Sequence, residues 1–224
     1  MIVINKLHGK VNLLLFALIV LHFAYPFSEF SNTASAIYVT FYCLMIGIGI
    51  YVTTTNRRRI IIGTLLNALT IITGIIWALT SNDRDLNAFL FVFYGVITSN
   101  GLLISWTILE YIFKSQEVTG SVLSAGITFY MMIGNVFTPL YFLLDALVRT
   151  TTGSPAFVFN TQNIEITWQR MYYFSFTTLT TLGYGDITPI SHYVEPFVTA
   201  EAIIGVLYTA VLMARLVSLY ERRD

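Results

Sequence analysis

The segment Thr180–Asp186 reads Thr-Thr-Leu-Gly-Tyr-Gly-Asp, a combination that could bind a dehydrated cation through backbone oxygens. Such an ion needs rings of oxygen ligands in place of its water shell, and backbone carbonyls repeat every ~3.3 Å along an extended chain. Successive carbonyls can point the same way only where some residues adopt backbone angles that a Cβ atom disfavours. Gly183 and Gly185 lack that atom, so we expect positive φ angles at both glycines.

This segment resembles the selectivity filter of the tetrameric pore-loop potassium channels, in which four Thr-Val-Gly-Tyr-Gly-type loops surround the ion. Leu182 stands where the common form has valine, and its side chain is expected to face away from the ions. The resemblance implies a homotetramer in a lipid bilayer that passes potassium as the permeant ion and needs no cofactor. It implies K+ binding at Thr181, Leu182, Gly183 and Tyr184, within an ion-binding filter made of Thr181, Leu182, Gly183, Tyr184 and Gly185.

The residues before the filter are expected to support it. Thr167–Thr178 is helix-like but too short to cross a bilayer, so we interpret it as a re-entrant pore helix whose partly negative C-terminal end faces the ion path. The resemblance implies that Tyr173 hydrogen-bonds Asp186, and that Thr177 stands where some family members carry an acidic residue. The predicted supporting residues are Thr180, Asp186, Tyr173, Thr177 and Glu201.

The last apolar stretch contains an acid, Glu201, which costs several kcal/mol within a membrane span unless it is protonated, paired or hydrated. Two interpretations stay open: a structural hydrogen bond behind the filter, or a role in ion attraction or gating. Gly205 falls where the family's inner helix often bends, and close packing against another helix is the alternative. The predicted gate and cavity residues lie along this helix: Gly205, Val206, Thr209, Met213 and Val217. Arg215 is expected to extend its head group to the lipid headgroups.

The composition indicates a membrane protein. Apolar residues make up 56% of the chain, charged residues 11%, and the mean hydropathy is +0.72. Soluble proteins carry about 25% charged residues. The formal net charge of zero provides no basic face for nucleic acid, and Cys43, the only cysteine, excludes an internal disulfide. No small-molecule substrate is evident.

Apolar stretches divide the chain into two membrane regions. A helix needs about 20 residues to cross ~30 Å of hydrocarbon. The six candidate spans are Val11–Phe27, Ala34–Val52, Ile60–Leu79, Leu86–Phe113, Gly120–Val148 and Tyr193–Tyr220. We therefore predict an all-α membrane protein with six transmembrane helices, and with the re-entrant pore helix and filter between the fifth and sixth. A four-span domain would occupy residues 1–114 and a pore domain residues 120–224.

The distribution of Lys and Arg predicts the orientation. With both termini in the cytoplasm, only Arg84, Arg149 and Arg170 of the 12 Lys and Arg residues lie outside. Cytoplasmic loops of membrane proteins are enriched in these residues. We expect a multi-pass protein of the plasma membrane.

The four-span domain stands where a voltage sensor would be, yet its fourth span, Leu86–Phe113, contains no Lys or Arg. Moving one elementary charge through 100 mV is worth ~2.3 kcal/mol, so a sensor needs such residues. Arg57–Arg59 are consecutive and are interpreted as a loop that anchors topology. We expect a channel that is not intrinsically voltage-gated, and the short connection Lys114–Gly120 predicts that each four-span domain packs against its own subunit's pore.

Two other functions stay open from the sequence. A non-conducting or modulatory membrane subunit would not need every filter position. A pore-loop cation transporter usually carries four pore loops in one chain, whereas one filter motif occurs here. The three histidines, His8, His22 and His192, are scattered along the chain, and no enzyme is expected.

Overall fold

The structure is a computed structural model that describes residues 10–80, 87–115, 117, 119–160 and 167–221. This part of the chain is mostly helical, with two short strands. The elements in chain order are α1 (Lys10–Ala24), a 3-10 helix (Tyr25–Glu29), α2 (Asn32–Thr53), α3 (Arg57–Thr80), α4 (Asn87–Lys114), α5 (Gly120–Thr152), β1 (Phe157–Phe159), α6 (Trp168–Leu179), β2 (Ile187–Pro189) and α7 (Glu195–Glu221).

Several helices are apolar enough to cross a membrane, as predicted for an all-α membrane protein. Over the described residues, the stretches of sufficient length and hydropathy are Val11–Glu29, Thr33–Thr53, Phe91–Lys114, Gly120–Thr152 and Glu195–Arg215. The predicted span at α3 is not among these five, so the count of six stays a prediction. Four of the charges that predicted the orientation lie outside the described residues: Lys6, Arg84, Arg222 and Arg223.

Local capping explains where α2 and α3 begin. The hydroxyl of Ser31 accepts a hydrogen bond from the backbone N of Ala34 at 3.1 Å, which caps the start of α2. Asn56 caps α3 in the same way, because its Oδ1 accepts from the backbone N of Arg58 at 3.0 Å. The interpretation of Arg57–Arg59 as a loop is therefore wrong: these residues form the first turn of α3.

The chain separates into two compact units, the first made of Met1–Ala68, Ser99–Met132 and Thr209–Asp224. Within it, small residues let helices approach closely. A Cβ atom on Gly49 would lie 3.4 Å from Leu14 and from Ile104. Thr107 Oγ1 donates to Thr53 Oγ1 at 2.9 Å. Residue numbers rise together in both contacts between α2 and α4, so these two helices run parallel.

Charged residues of the first unit pair with one another. Glu110 of α4 accepts hydrogen bonds from Arg59 of α3 and from Lys114, one turn further along α4. Helix α4 ends at Lys114 and α5 begins at Gly120, which confirms the short connection predicted from the sequence.

The second unit consists of Leu69–Thr98 and Ile133–Tyr208 and contains the Thr180–Asp186 segment. Its core is aromatic: the rings of Tyr141, Phe157 and Phe174 lie 5.3–5.5 Å apart, centre to centre. Strands β1 and β2 pair antiparallel, with Val158 opposite Thr188. Asp145 of α5 fixes the chain before β1, since its Oδ1 accepts from Ala156 N at 2.7 Å while its Oδ2 pairs with Arg149. This core holds both ends of the segment.

Candidate functional site

Within Thr180–Asp186, every second residue from Thr181 to Gly185 has a positive φ angle. The φ angles of Gly183 and Gly185 are 49° and 75°, which confirms the prediction of positive values at both glycines. Thr181 has a φ of 59°, which the sequence did not predict. A left-handed conformation is unusual for a β-branched residue and costs of order 1–3 kcal/mol. Strain of this kind persists only where the surrounding structure imposes it.

Helix α6 imposes this conformation through its last carbonyl groups. The backbone N–H groups of Leu182 and Gly183 both donate to the carbonyl oxygen of Thr177, at 2.8 and 3.1 Å. The N–H of Thr181 donates to Thr178 O at 2.9 Å. Alternating right- and left-handed residues turn successive N–H groups toward one side of the chain. In this segment that side faces the end of α6.

The carbonyl groups of the segment are free on the other side. Across the described residues, the carbonyl oxygens of Thr180–Tyr184 accept no hydrogen bond, and Thr180–Gly185 are exposed. An unpaired carbonyl in a membrane protein is tolerated only where the backbone lines water or binds a polar partner. The arrangement therefore presents a row of free backbone acceptors, which can take the place of an ion's water molecules.

Asn160, which follows β1, holds the C-terminal end of the segment. Its backbone N donates to Asp186 O at 2.7 Å, and its side-chain Nδ2 donates to Gly185 O at 2.8 Å. Sequence reasoning missed Asn160, because its position opposite Gly185 depends on the register of β1 and β2. Asp186 Oδ1 accepts from the N–H of Ile187 at 3.0 Å, and the Tyr173–Asp186 hydrogen bond stays a prediction.

The predicted supporting residues lie directly behind the segment. The ring of Tyr173 on α6 is parallel to that of Tyr184, with centres 6.4 Å apart. Thr180 Oγ1 donates to Phe176 O at 2.7 Å, and Thr177 Oγ1 donates to Phe174 O at 2.9 Å. The Thr180 hydroxyl thus attaches the segment to the last turn of α6, whereas the Thr177 hydroxyl bonds within α6 itself.

Glu201 is fully buried on α7 and contacts two other helices. Its Oε2 accepts from the hydroxyl of Tyr141 on α5, and its Oε1 lies 2.5 Å from Ser175 Oγ on α6. This geometry supports the structural interpretation of Glu201 over ion attraction. The sequence predicted the cost of the acid but not its partners, because they lie 60 and 26 residues away along the chain.

Gly205 is a point of close packing. A Cβ atom there would collide with the carbonyl oxygen of Leu179, the last residue of α6, and this supports packing over a hinge. The other predicted gate and cavity residues are exposed along α7: Val206, Thr209, Met213 and Val217. Their spacing of three and four residues places them on one face.

The guanidinium of Arg215 binds the end of another helix, so the expectation that it extends to the lipid headgroups is corrected. Its Nη2 donates to the carbonyl oxygens of Ile112, Phe113 and Ser115 at 2.8–2.9 Å. These carbonyls end α4 and lack helical N–H partners. Arg215 therefore caps the C-terminus of α4 from α7, and its guanidinium also lies 5.1 Å from the centre of the Phe113 ring.

Comparison with known families gives one result. A family model described as an ion channel matches residues 91–222, which is more than half of the chain and runs from α4 through α7. The searches of curated proteins and of solved structures gave no match.

Proposed function

Because this chain belongs to the ion channel family, we propose that it is one subunit of a potassium-selective channel that conducts passively through a fourfold filter. The observation that carries the proposal is the row of free carbonyls from Thr180 to Tyr184, backed by N–H groups that donate to Thr177 O. Four such rows around one axis would form stacked oxygen rings.

The proposed K+ sites use the carbonyls of Thr181, Leu182, Gly183 and Tyr184, together with the Thr181 hydroxyl. A potassium ion that loses its water shell needs a nearly equal set of oxygens, and carbonyl dipoles supply these without a full negative charge. The Asn160 amide holds Gly185, just beyond one end of the row, and the Thr177 carbonyl holds the N–H groups of Leu182 and Gly183 within it. A spacing that suits K+ would fit a smaller ion less well.

One copy of the Thr180–Asp186 segment cannot surround an ion, which is why we propose a homotetramer. The surface of α7 supports assembly: 11% of its apolar stretch is buried within the chain, against 56% for α5. Apolar side chains such as Val206 and Met213 are more than half exposed. Neighbouring subunits, the ion path and lipid would cover this helix.

The proposed membrane topology has six spans, with α3 as the third and α6 as the re-entrant pore helix. Both termini would lie in the cytoplasm of a plasma-membrane protein, as the distribution of Lys and Arg favours. The channel would not be intrinsically voltage-gated, since Lys114, in its last turn, is the only Lys or Arg of α4.

The filter is tested by potassium flux into liposomes that contain purified protein, with two matched glycine variants. Gly183 and Gly153 both have positive φ and both have open space where a Cβ would stand. Alanine costs about 1–2 kcal/mol in this conformation at either site. We expect Gly183→Ala to abolish flux and Gly153→Ala to retain it. Flux that survives Gly183→Ala would contradict the assignment of the filter.

A further inference from the structure

The strongest unexplained feature is a carboxyl group with no counter-charge. Glu201 is 0% exposed and lies inside an apolar stretch of α7. Among the described residues, no Lys, Arg or His forms an ion pair with it. A carboxylate at such a position is costly on membrane-insertion scales. Its hydrogen bonds show how the cost is avoided.

Two oxygen–oxygen contacts link Glu201 to α5 and α6, and a third links α6 to α5. Tyr141 OH contacts Glu201 Oε2, Ser175 Oγ lies 2.5 Å from Glu201 Oε1, and the same Oγ lies 2.9 Å from the carbonyl oxygen of Gly134. Each contact requires one proton between its two oxygens. Tyr141 supplies one proton and Ser175 supplies one, while the carbonyl of Gly134 supplies none. Two protons cannot satisfy three contacts.

We infer that Glu201 carries the third proton, and that this neutral acid positions the pore helix by a hydrogen-bond chain from α7 through α6 to α5. Oε1–H donates to Ser175 Oγ, Ser175 O–H donates to Gly134 O, and Tyr141 O–H donates to Oε2. Each of the three contacts then has one proton, and Gly134 O also accepts from Thr138 Oγ1 at 2.8 Å. The geometry stands without the proposed function, and only the consequence for conduction rests on it.

The hydrogen-bond chain passes through α6 close to the Thr180–Asp186 segment. Ser175 precedes Thr177 by two residues on α6, and the carbonyl of Thr177 holds the N–H groups of Leu182 and Gly183. If Glu201 lost its proton, Ser175 would donate to the carboxylate and leave Gly134 O. Helix α6 would then lose this hydrogen bond to α5. Glu201 is thus a positioning residue that acts on the filter through α6.

The described groups that face Glu201 carry no charge. The proton on Glu201 is therefore the one whose loss would change the charge of this cluster. Helix α5 presents Tyr141, and α6 presents Ser175. The next charged group on α5, Asp145, is paired with Arg149. The neighbours of Glu201 one turn away on α7 are uncharged: Phe197, Val198, Ile204 and Gly205.

Infrared difference spectroscopy tests the proton directly, on purified full-length protein in lipid. Subtracting the spectrum of Glu201→Gln from that of the parent at neutral pH should show loss of the carbonyl stretch of a protonated carboxylic acid. Glu29→Gln, at the exposed end of the 3-10 helix, is the matched control and should remove a carboxylate band instead. Loss of a carboxylate band in Glu201→Gln would overturn the inference.

Potassium flux against pH tests the consequence. Raising the pH removes the proton, so the parent should lose flux on the alkaline side. Glu201→Gln keeps one donor and one acceptor in the same places, so it should conduct and should lack this alkaline loss. An equal alkaline loss in both proteins would overturn the positioning role. Because the infrared result needs no ion conduction, failure of the proposed potassium selectivity would leave it unchanged.

Discussion

At the scale of single residues, the position of the free carbonyl row depends on Asn160, which binds the chain next to it. Asn160 makes its two hydrogen bonds to Gly185 and Asp186 from outside the segment, one of them through its amide group. This amide is the one side-chain donor that the described structure gives to a carbonyl of the Thr180–Asp186 segment. Loss of this amide should first loosen the end of the segment at Gly185.

We predict that Asn160→Ala lowers the stabilisation of the protein by K+. The substitution removes the Nδ2 hydrogen bond to Gly185 O, which is worth about 1 kcal/mol, or about a fivefold weaker apparent K+ affinity. The measurement is the unfolding temperature of purified protein against K+ concentration. Asn56→Ala, which removes the cap of α3, is the control and should lower stability equally with and without K+. An unchanged K+ response in Asn160→Ala would contradict the role of this amide.

The residue types predicted part of this site. Gly183 and Gly185 were foreseeable, because the absence of a Cβ atom is visible in the sequence and its consequence for φ is general. The φ of Thr181 was not foreseeable, since a β-branched residue argues against a left-handed conformation. Asn160, Tyr141 and Ser175 were missed because their roles arise only when distant parts of the chain pack together.

At the scale of elements, α7 is attached to α4 by Arg215, whose contacts lie within the first compact unit. Helix α7 is the proposed inner helix of the pore, so this cap links the C-terminal half of α7 to the C-terminal end of α4. The long helices were foreseeable, because long apolar runs are local signals. The strands β1 and β2 are three residues each and carry no such signal.

We predict that Arg215→Gln destabilises the protein by about 2–3 kcal/mol, because hydrogen bonds to a charged group are lost and α4 carbonyls are left without partners. Arg58→Gln, at an exposed position in the first turn of α3, is the control for loss of one positive charge and should be nearly neutral. Thermal unfolding in detergent measures both variants. Equal behaviour of the two would mean that the cap contributes nothing.

The composition of α4 leads to a second prediction at this scale: open probability should depend only weakly on membrane potential. Lys114 lies in the last turn and is paired with Glu110, so no series of cationic residues can move through the field. Each elementary charge crossing 100 mV would contribute ~2.3 kcal/mol. Recordings in planar bilayers provide the measurement. Steep activation that requires several gating charges per channel would contradict this account.

At the scale of the whole molecule, we predict that each four-span domain packs against the pore of its own subunit. The rings of Tyr94 on α4 and Phe142 on α5 stack in one chain, with centres 5.0 Å apart. Few residues separate Lys114 from Gly120, and even fully extended they reach only about 20 Å. That distance is short for crossing to a neighbouring pore.

A short bifunctional crosslinker on Tyr94→Cys with Phe142→Cys tests this packing, in a background where Cys43 is replaced by alanine. Crosslinks should stay within one monomer on denaturing gels. Tyr94→Cys with the exposed Thr151→Cys, at the end of α5, is the control pair and should not react. A ladder from dimers to tetramers with the first pair would show that the domains are exchanged between subunits.

The central claim is that four rows of free carbonyls select potassium, and the reversal potential under a bi-ionic gradient tests it most directly. Purified protein is fused into a planar bilayer with potassium on one side and an equal concentration of sodium on the other. The account predicts a current that reverses far from zero, at a potential whose sign corresponds to potassium permeation. A reversal potential near zero, with the Thr180–Asp186 segment intact, would contradict it.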